Sequence, residues 1–339
     1  MTHGHGDDLY RYEGLIKANF STNIWQYADL APLKRFMATQ LDFIDSYPEP
    51  EPESLEADIA SRLGLPGSAV MVTAGATDAI YSLARAYAAK RHAIVQPTFS
   101  EYGDACRIAG CRAADALKPE EAVGKGDVVW ICNPNNPTGS VIPAGELADM
   151  AKAHPDKIFI IDQAYASYCI HAPMSAREAA EAGNVVLLHS LTKQCCVPGL
   201  RIGYLTASPL LLEPLRAARQ PWAVNALSIA ASRFLLDNPV SIPLSMLLDE
   251  SRKMQKKLAQ SGIEVLPSAT NFFLCRLPEG EVAPLKEWLA RQKGLLIRDA
   301  SNFRTLTPQH FRIAVQRPEE NITLFKALET WLSQSGLRN

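Results

Sequence analysis

The sequence predicts an α/β fold, a large layer on a mostly parallel sheet followed by a smaller α+β domain. Three observations carry this. Short β-rich runs alternate with helical stretches through the middle of the chain. The 339 residues are 47% hydrophobic and 21% charged, which supplies a large core. After about residue 238 the alternation gives way to one long helical pattern and a few short strands.

Residues 1–30 read as an irregular arm. Pro48, Pro50 and Pro52 form a stiff acidic connector near the front of the chain. The large α/β domain is expected over 31–238. Its candidate strands are 69–73, 92–96, 128–132, 157–162, 184–189 and 202–206. Helical patterns such as 77–90 and 144–153 lie between them, so the sheet is expected to be covered on both faces. The small domain is expected over 239–339. It opens on a helical pattern at 242–261, continues with strands at 271–277, 295–298 and 311–315, and closes on a helix reaching about residue 333. No internal repeat interrupts this order.

Composition excludes some functions. A net charge of −2 offers no basic field for nucleic acid or an anionic membrane. The longest apolar runs, such as 185–188, are strand-sized and far below the ~20 residues that span a bilayer. The first residues lack the basic start and apolar stretch of a signal peptide. Seven cysteines without a CxxC pair suggest reduced thiols and a cytoplasmic protein. Cys195 and Cys196 lie just after a lysine of interest, either as packing or as oxidation-sensitive thiols.

Ligands in open α/β sheets bind at the carboxyl ends of strands, and the chemically suggestive residues fall there. In the segment 189–204, a strand runs into Ser190, Thr192 and Lys193, then a Pro198-Gly199 turn and Arg201. Ser190, Thr192 and Arg201 are anion-binding types, placed where one phosphate could lie beside an amine. A positioned, partly desolvated lysine can form a Schiff base with an aldehyde cofactor. Asn133-Pro134-Asn135-Asn136-Pro137-Thr138-Gly139 is a rigid turn that would project the Asn136 amide towards a phenolic oxygen. Asp162, at another strand end, can cap a helix or keep a pyridine nitrogen protonated, and Tyr165 follows it. In Thr73-Ala74-Gly75-Ala76-Thr77-Asp78 the free N–H groups of Ala76 and Thr77 would point at an anion. Tyr102, on the next strand-to-helix loop, is core or a stacking platform.

Together these motifs resemble the fold-type I pyridoxal-phosphate enzymes, the aspartate aminotransferase superfamily, over nearly the whole chain and in the same order. The resemblance implies pyridoxal 5′-phosphate as cofactor. It makes Lys193 the Schiff-base lysine, Asp162 the partner of the ring nitrogen, and Asn136 and Tyr165 the partners of the phenolate oxygen. Ala76, Thr77, Ser190, Thr192 and Arg201 would surround the phosphate, and Tyr102 would stack on the ring. Tyr47 resembles a tyrosine that reaches the phosphate of the neighbouring subunit, which implies a homodimer with shared sites. Arg312 matches an arginine that grips the substrate α-carboxylate through a bidentate fork.

Two families within this superfamily act on phosphorylated small amines, the histidinol-phosphate aminotransferases and the threonine-phosphate decarboxylases of cobalamin biosynthesis. The His3-Gly4 start and the stretches 19–23, 220–227, 297–303 and 311–321 look more like the decarboxylases. That resemblance implies a small phosphorylated amino-acid substrate. It would put Arg298 on the substrate phosphate, with His3 and Asn23 at the same pocket. Gln163, the Ala74-Gly75-Ala76-Thr77 turn and Trp25 depart from the usual pattern. A transaminase aligns Cα–H with the ring π system and a decarboxylase aligns Cα–carboxylate. Nearly the same residues serve both, so both chemistries stay open at this level.

Overall fold

The computed structural model describes residues 8–334. A seven-stranded sheet forms its largest layer. In chain order its strands are preceded by a short strand β1 (Ala18–Asn19), and they are β2 (Val70–Thr73), β3 (Arg91–Val95), β4 (Arg112–Ala116), β5 (Val128–Cys132), β6 (Ile158–Asp162), β7 (Val185–His189) and β8 (Gly203–Ala207). Their spatial order is β2-β8-β7-β6-β5-β3-β4. The pairs from β7 through β4 are parallel, while β8 is antiparallel to both β7 and β2. Six of the seven strands therefore run one way and only β8 is reversed.

Helices on both faces explain the sequence of the central strands. All five residues of β5 and all five of β6 are buried, so these strands read as continuous apolar runs rather than alternating ones. Because β2, β3, β5, β6 and β7 share a direction, Thr73, Val95, Cys132, Asp162 and His189 end on one edge of the sheet. The reversed β8 starts at that same edge, which brings Arg201 there from the other side.

The C-terminal part follows the expected order. After the helix Leu244–Gln260 come β9 (Glu264–Val265), β10 (Phe272–Arg276), β11 (Leu295–Leu296), β12 (Arg298–Asp299) and β13 (His310–Ala314), then the helix Pro318–Gln334. An antiparallel sheet of order β12-β13-β10-β9 packs against these helices.

Three details differ from expectation. The single strand expected at 295–298 is two strands. Leu295–Leu296 pairs in parallel with β1, and Arg298–Asp299 pairs with β13, so the chain changes partners at Ile297. The first thirty residues are not an irregular arm in their second half. β1 is held by β11, and Phe20, Ile24 and Trp25 are buried in the C-terminal core. A two-residue strand whose partner lies some 277 residues away leaves no local periodicity to read. β4 had no counterpart in the sequence reading because Arg-Ala-Ala-Asp-Ala is a weak, half-exposed edge strand. Among the described residues, no helix is long and apolar enough to cross a membrane.

Candidate active site

At the shared strand edge lies a cavity of about 380 Å³. Its walls include Lys193, Asp162, Asn136, Tyr165, Tyr102 and Arg312. Ala76, Thr77, Ser190, Thr192, Arg201 and Asn23 line it as well. The topology assembles residues from five strand ends and from the C-terminal sheet.

Lys193 lies on the one-turn helix Leu191–Gln194, directly after β7 and Ser190. Its side chain is half-buried, and Nζ lies 5.9 Å from the centre of the Tyr165 ring. Asp162 is the last residue of β6 and is 4% exposed. One carboxylate oxygen accepts the Ala164 N–H at 2.8 Å, and the other accepts the Tyr102 hydroxyl at 2.7 Å. Burial raises the Asp162 pKa from its ordinary value, while Tyr102, Ala164 and the Lys193 charge pull it partly back. A desolvated carboxylate of this kind is stabilised by a cation placed against it, such as a protonated ring nitrogen.

Tyr102 lines the cavity and is also packed into the core. Its ring stacks on Trp130, with centroids 5.4 Å apart and 26° between planes, while its hydroxyl is committed to Asp162. Arg312 is 3% exposed and donates through one terminal nitrogen to the Asn136 side-chain oxygen. Its other terminal nitrogen donates to the Ser21 carbonyl at 2.5 Å. An arginine has no acceptor, so Asn136 must present its oxygen to it. This leaves the Asn136 NH2 as the donor available to the cavity.

At the other end, the helix Ala76–Ala86 begins with its free N–H groups at the cavity wall. Gly75 sits at φ +86°, and a Cβ there would come within 2.7 Å of an Arg201 guanidinium nitrogen. A Cβ at Gly203 would come within 2.9 Å of the Ala76 nitrogen. Only glycine lets these segments close into a cradle. Thr192 lines the cavity, but its hydroxyl donates to the Ile202 carbonyl at 3.3 Å. Its one proton therefore serves the local turn.

Asn23 is 2% exposed on the cavity wall, and neither its amide nitrogen nor its oxygen meets a partner among the described residues. Burying such a group unsatisfied costs about 1–3 kcal/mol, so a polar ligand belongs there. Arg298 is not a wall residue. It stands directly opposite Arg312 in the β12–β13 pair, is 5% exposed and donates to Asn302 at 2.9 Å. Burial lowers its pKa. Tyr47 lies outside this cavity and is 86% exposed, packed beside the Trp222 ring at 5.4 Å. His3 lies outside the described residues.

Several wall residues carried no sequence signal. Ser21 contributes its backbone carbonyl, which any residue has. Glu101 is buried and accepts from the Tyr81 hydroxyl at 2.8 Å. Gln163 points elsewhere, donating to the Met174 carbonyl at 2.9 Å. Cys195 and Cys196 are both buried, and burial pushes the Cys195 thiol up to about 12 and raises that of Cys196. Protonated, enclosed thiols are poor nucleophiles, which favours the packing role for this pair.

The donor set fits pyridoxal 5′-phosphate. A primary amine, a buried carboxylate, an amide donor and an anion cradle at a helix N-terminus surround one cavity, and the orphaned Asn23 amide awaits a polar group. The family model for aminotransferase class I and II matches residues 16–327. The threonine-phosphate decarboxylase of Salmonella typhimurium is 30% identical over 335 residues, 93% of this chain and 91% of that protein. A histidinol-phosphate aminotransferase of Ralstonia nicotianae is 28% identical, covering 88% of this chain and 84% of that protein. The crystal structure of the L-threonine-O-3-phosphate decarboxylase of Porphyromonas gingivalis superposes with a TM-score of 0.90 at 36% identity, covering 93% of this chain and 99% of that one. With the strand-end lysine, the buried aspartate and the glycine-built cradle in the family's order, this chain belongs to the class I and II aminotransferase family and is a fold-type I, pyridoxal-phosphate-dependent enzyme.

Proposed function

We propose that the enzyme decarboxylates L-threonine O-3-phosphate to 1-amino-2-propanol phosphate and carbon dioxide, a reaction of cobalamin biosynthesis. The observation that carries this reading is the pair Arg298 and Arg312. Two buried arginines stand directly opposite each other on adjacent strands, and burying their guanidiniums costs desolvation. A substrate bearing both a carboxylate and a phosphate offsets that cost. Arg312, which lines the cavity and donates to the Asn136 side-chain oxygen and the Ser21 carbonyl, would take the α-carboxylate. Arg298 would take the phosphate, with Asn23 donating at the same end. The similarity to threonine-phosphate decarboxylases supports the same choice.

When bound, the cofactor ring supplies an electron sink for charge at the substrate Cα. The chain's residues then have separate tasks. Lys193 would carry the cofactor and return a proton to Cα. Asp162 would keep the ring nitrogen protonated, and Asn136 and Tyr165 would donate to the phenolic oxygen. The cradle at Ala76, Thr77, Ser190 and Arg201 would anchor the cofactor phosphate.

Threonine phosphate offered without any keto acid should yield carbon dioxide over many turnovers. Arg312→Lys should weaken this substrate about tenfold or more, because lysine lacks the planar fork. Arg298→Ala should cost about as much, and plain threonine should be a poor substrate. Stoichiometric pyridoxamine phosphate formed from histidinol phosphate, with no carbon dioxide from threonine phosphate, would instead make the enzyme an aminotransferase.

The working unit in this proposal is a homodimer. Leu41, Phe43, Ile44, Tyr47 and Trp222 are all large apolar side chains exposed on one chain, and Tyr47 cannot serve its own cavity. Sedimentation should show a dimer at assay concentration. A fully active monomer would remove Tyr47 and the shared site from the proposal.

A further inference from the structure

The strand that leads into the phosphate cradle is held from outside the sheet. β2 is an edge strand, paired among the described residues with β8 alone. Its open side carries backbone groups that need partners. Three side chains supply them. Glu56 accepts the Val72 N–H at 2.9 Å. Arg219 donates to the Val72 carbonyl at 2.6 Å, and Arg216 donates to the Val70 carbonyl.

These three side chains also hold one another. The Glu56 carboxylate meets Arg216 at 2.8 Å and Arg219 at 2.9 Å. The Glu56 side chain is 3% exposed and that of Arg219 is 6% exposed, so the bonds are shielded from water. Glu56 comes from the helix Glu53–Leu63, and Arg216 from the helix Pro209–Ala217. Two helices, with Arg219 just past the second, thus pin the open edge of one strand by its backbone.

We propose that Glu56, Arg216 and Arg219 are positioning residues that set the cofactor-phosphate cradle by fixing the open edge of β2. Val72 is only three residues before Gly75 and four before Ala76. There the backbone is already tight, since Gly75 packs against the Arg201 guanidinium and Gly203 packs against the Ala76 nitrogen. No slack exists in that short connection to absorb a shift of β2. A strand freed at Val70 and Val72 passes its displacement to the N–H groups that face the phosphate. The inference rests on the family's cofactor and not on the proposed substrate.

The test is cofactor binding to the apoenzyme, with pyridoxal, which lacks the phosphate, as the control ligand. Arg216→Met is the mildest variant, because this side chain is 25% exposed and Arg219 still neutralises Glu56. Its dissociation constant for pyridoxal phosphate should rise about tenfold, the scale of one charge-assisted hydrogen bond. Pyridoxal should bind within about twofold of wild type, and activity at saturating cofactor should be retained. Arg216→Lys should recover part of the loss. Glu56→Gln should show the same selectivity more strongly. If it fails to fold, Arg216→Met decides alone. Equal weakening of both ligands would mean a general structural role and would overturn the proposal, as would unchanged pyridoxal phosphate affinity in a folded Arg216→Met protein.

Discussion

Lys193→Ala should abolish turnover, with a loss on the order of 10³-fold or more, and should remove the visible absorbance of the lysine-linked cofactor. The expectation rests on position. Lys193 follows Ser190 at the end of β7, on the wall of the cavity and close to Tyr165. Among the described residues, no other lysine lines that cavity. The side chain is half-buried and projects into open space rather than into a packed core, so its truncation leaves little to collapse. Circular dichroism and thermal melting should therefore resemble wild type. An exogenous amine should restore a fraction of the activity. Full activity in the unrescued variant would remove the lysine from the chemistry.

Asp162→Asn should lower kcat by on the order of 10²-fold, about 3 kcal/mol of barrier, while the protein still folds. Asparagine can accept one of the two hydrogen bonds from Ala164 and Tyr102, but it cannot supply a negative charge. The carboxylate is costly in the ligand-free protein. Its folded-state pKa is raised by burial. A raised carboxyl pKa means that the penalty is absent below the unfolded value, grows as pH rises through the window between the two, and is complete above the folded value. A cationic ring nitrogen relieves it. Loading with cofactor should thus stabilise wild type near neutral pH more than it stabilises Asp162→Asn. Thermal shifts of the two proteins, each with and without pyridoxal phosphate, measure this difference. An unchanged kcat in the variant would exclude Asp162 from the mechanism.

Much of the cofactor side of this site was legible because it is local. Lys193, Asp162, Asn136 and the 73–78 turn each follow a short apolar run, and a parallel sheet collects the ends of such runs on one edge. Cys195 and Cys196 were undecided from sequence, since adjacency to Lys193 says nothing about burial. Thr192 was read as an anion ligand from its side-chain type. Its donation to Ile202 depends on how the chain returns into β8, ten residues later.

What the sequence determined by itself was the order of strands and helices, the residue types at the strand ends and, through them, the class of chemistry. Periodicity, turn residues and strand-end side chains are local properties, and local properties survive in one dimension. The tertiary structure alone decided which distant groups meet. It joined Arg312 to Asn136 across 176 residues and stood Arg298 opposite Arg312 by strand register. It brought Ala18–Asn19 to Leu295–Leu296, and it tied Glu56, Arg216 and Arg219 to the bare edge of β2. Each of these contacts requires two separately formed elements to dock in one register. That register is set by packing of the whole core, which no short window of sequence contains.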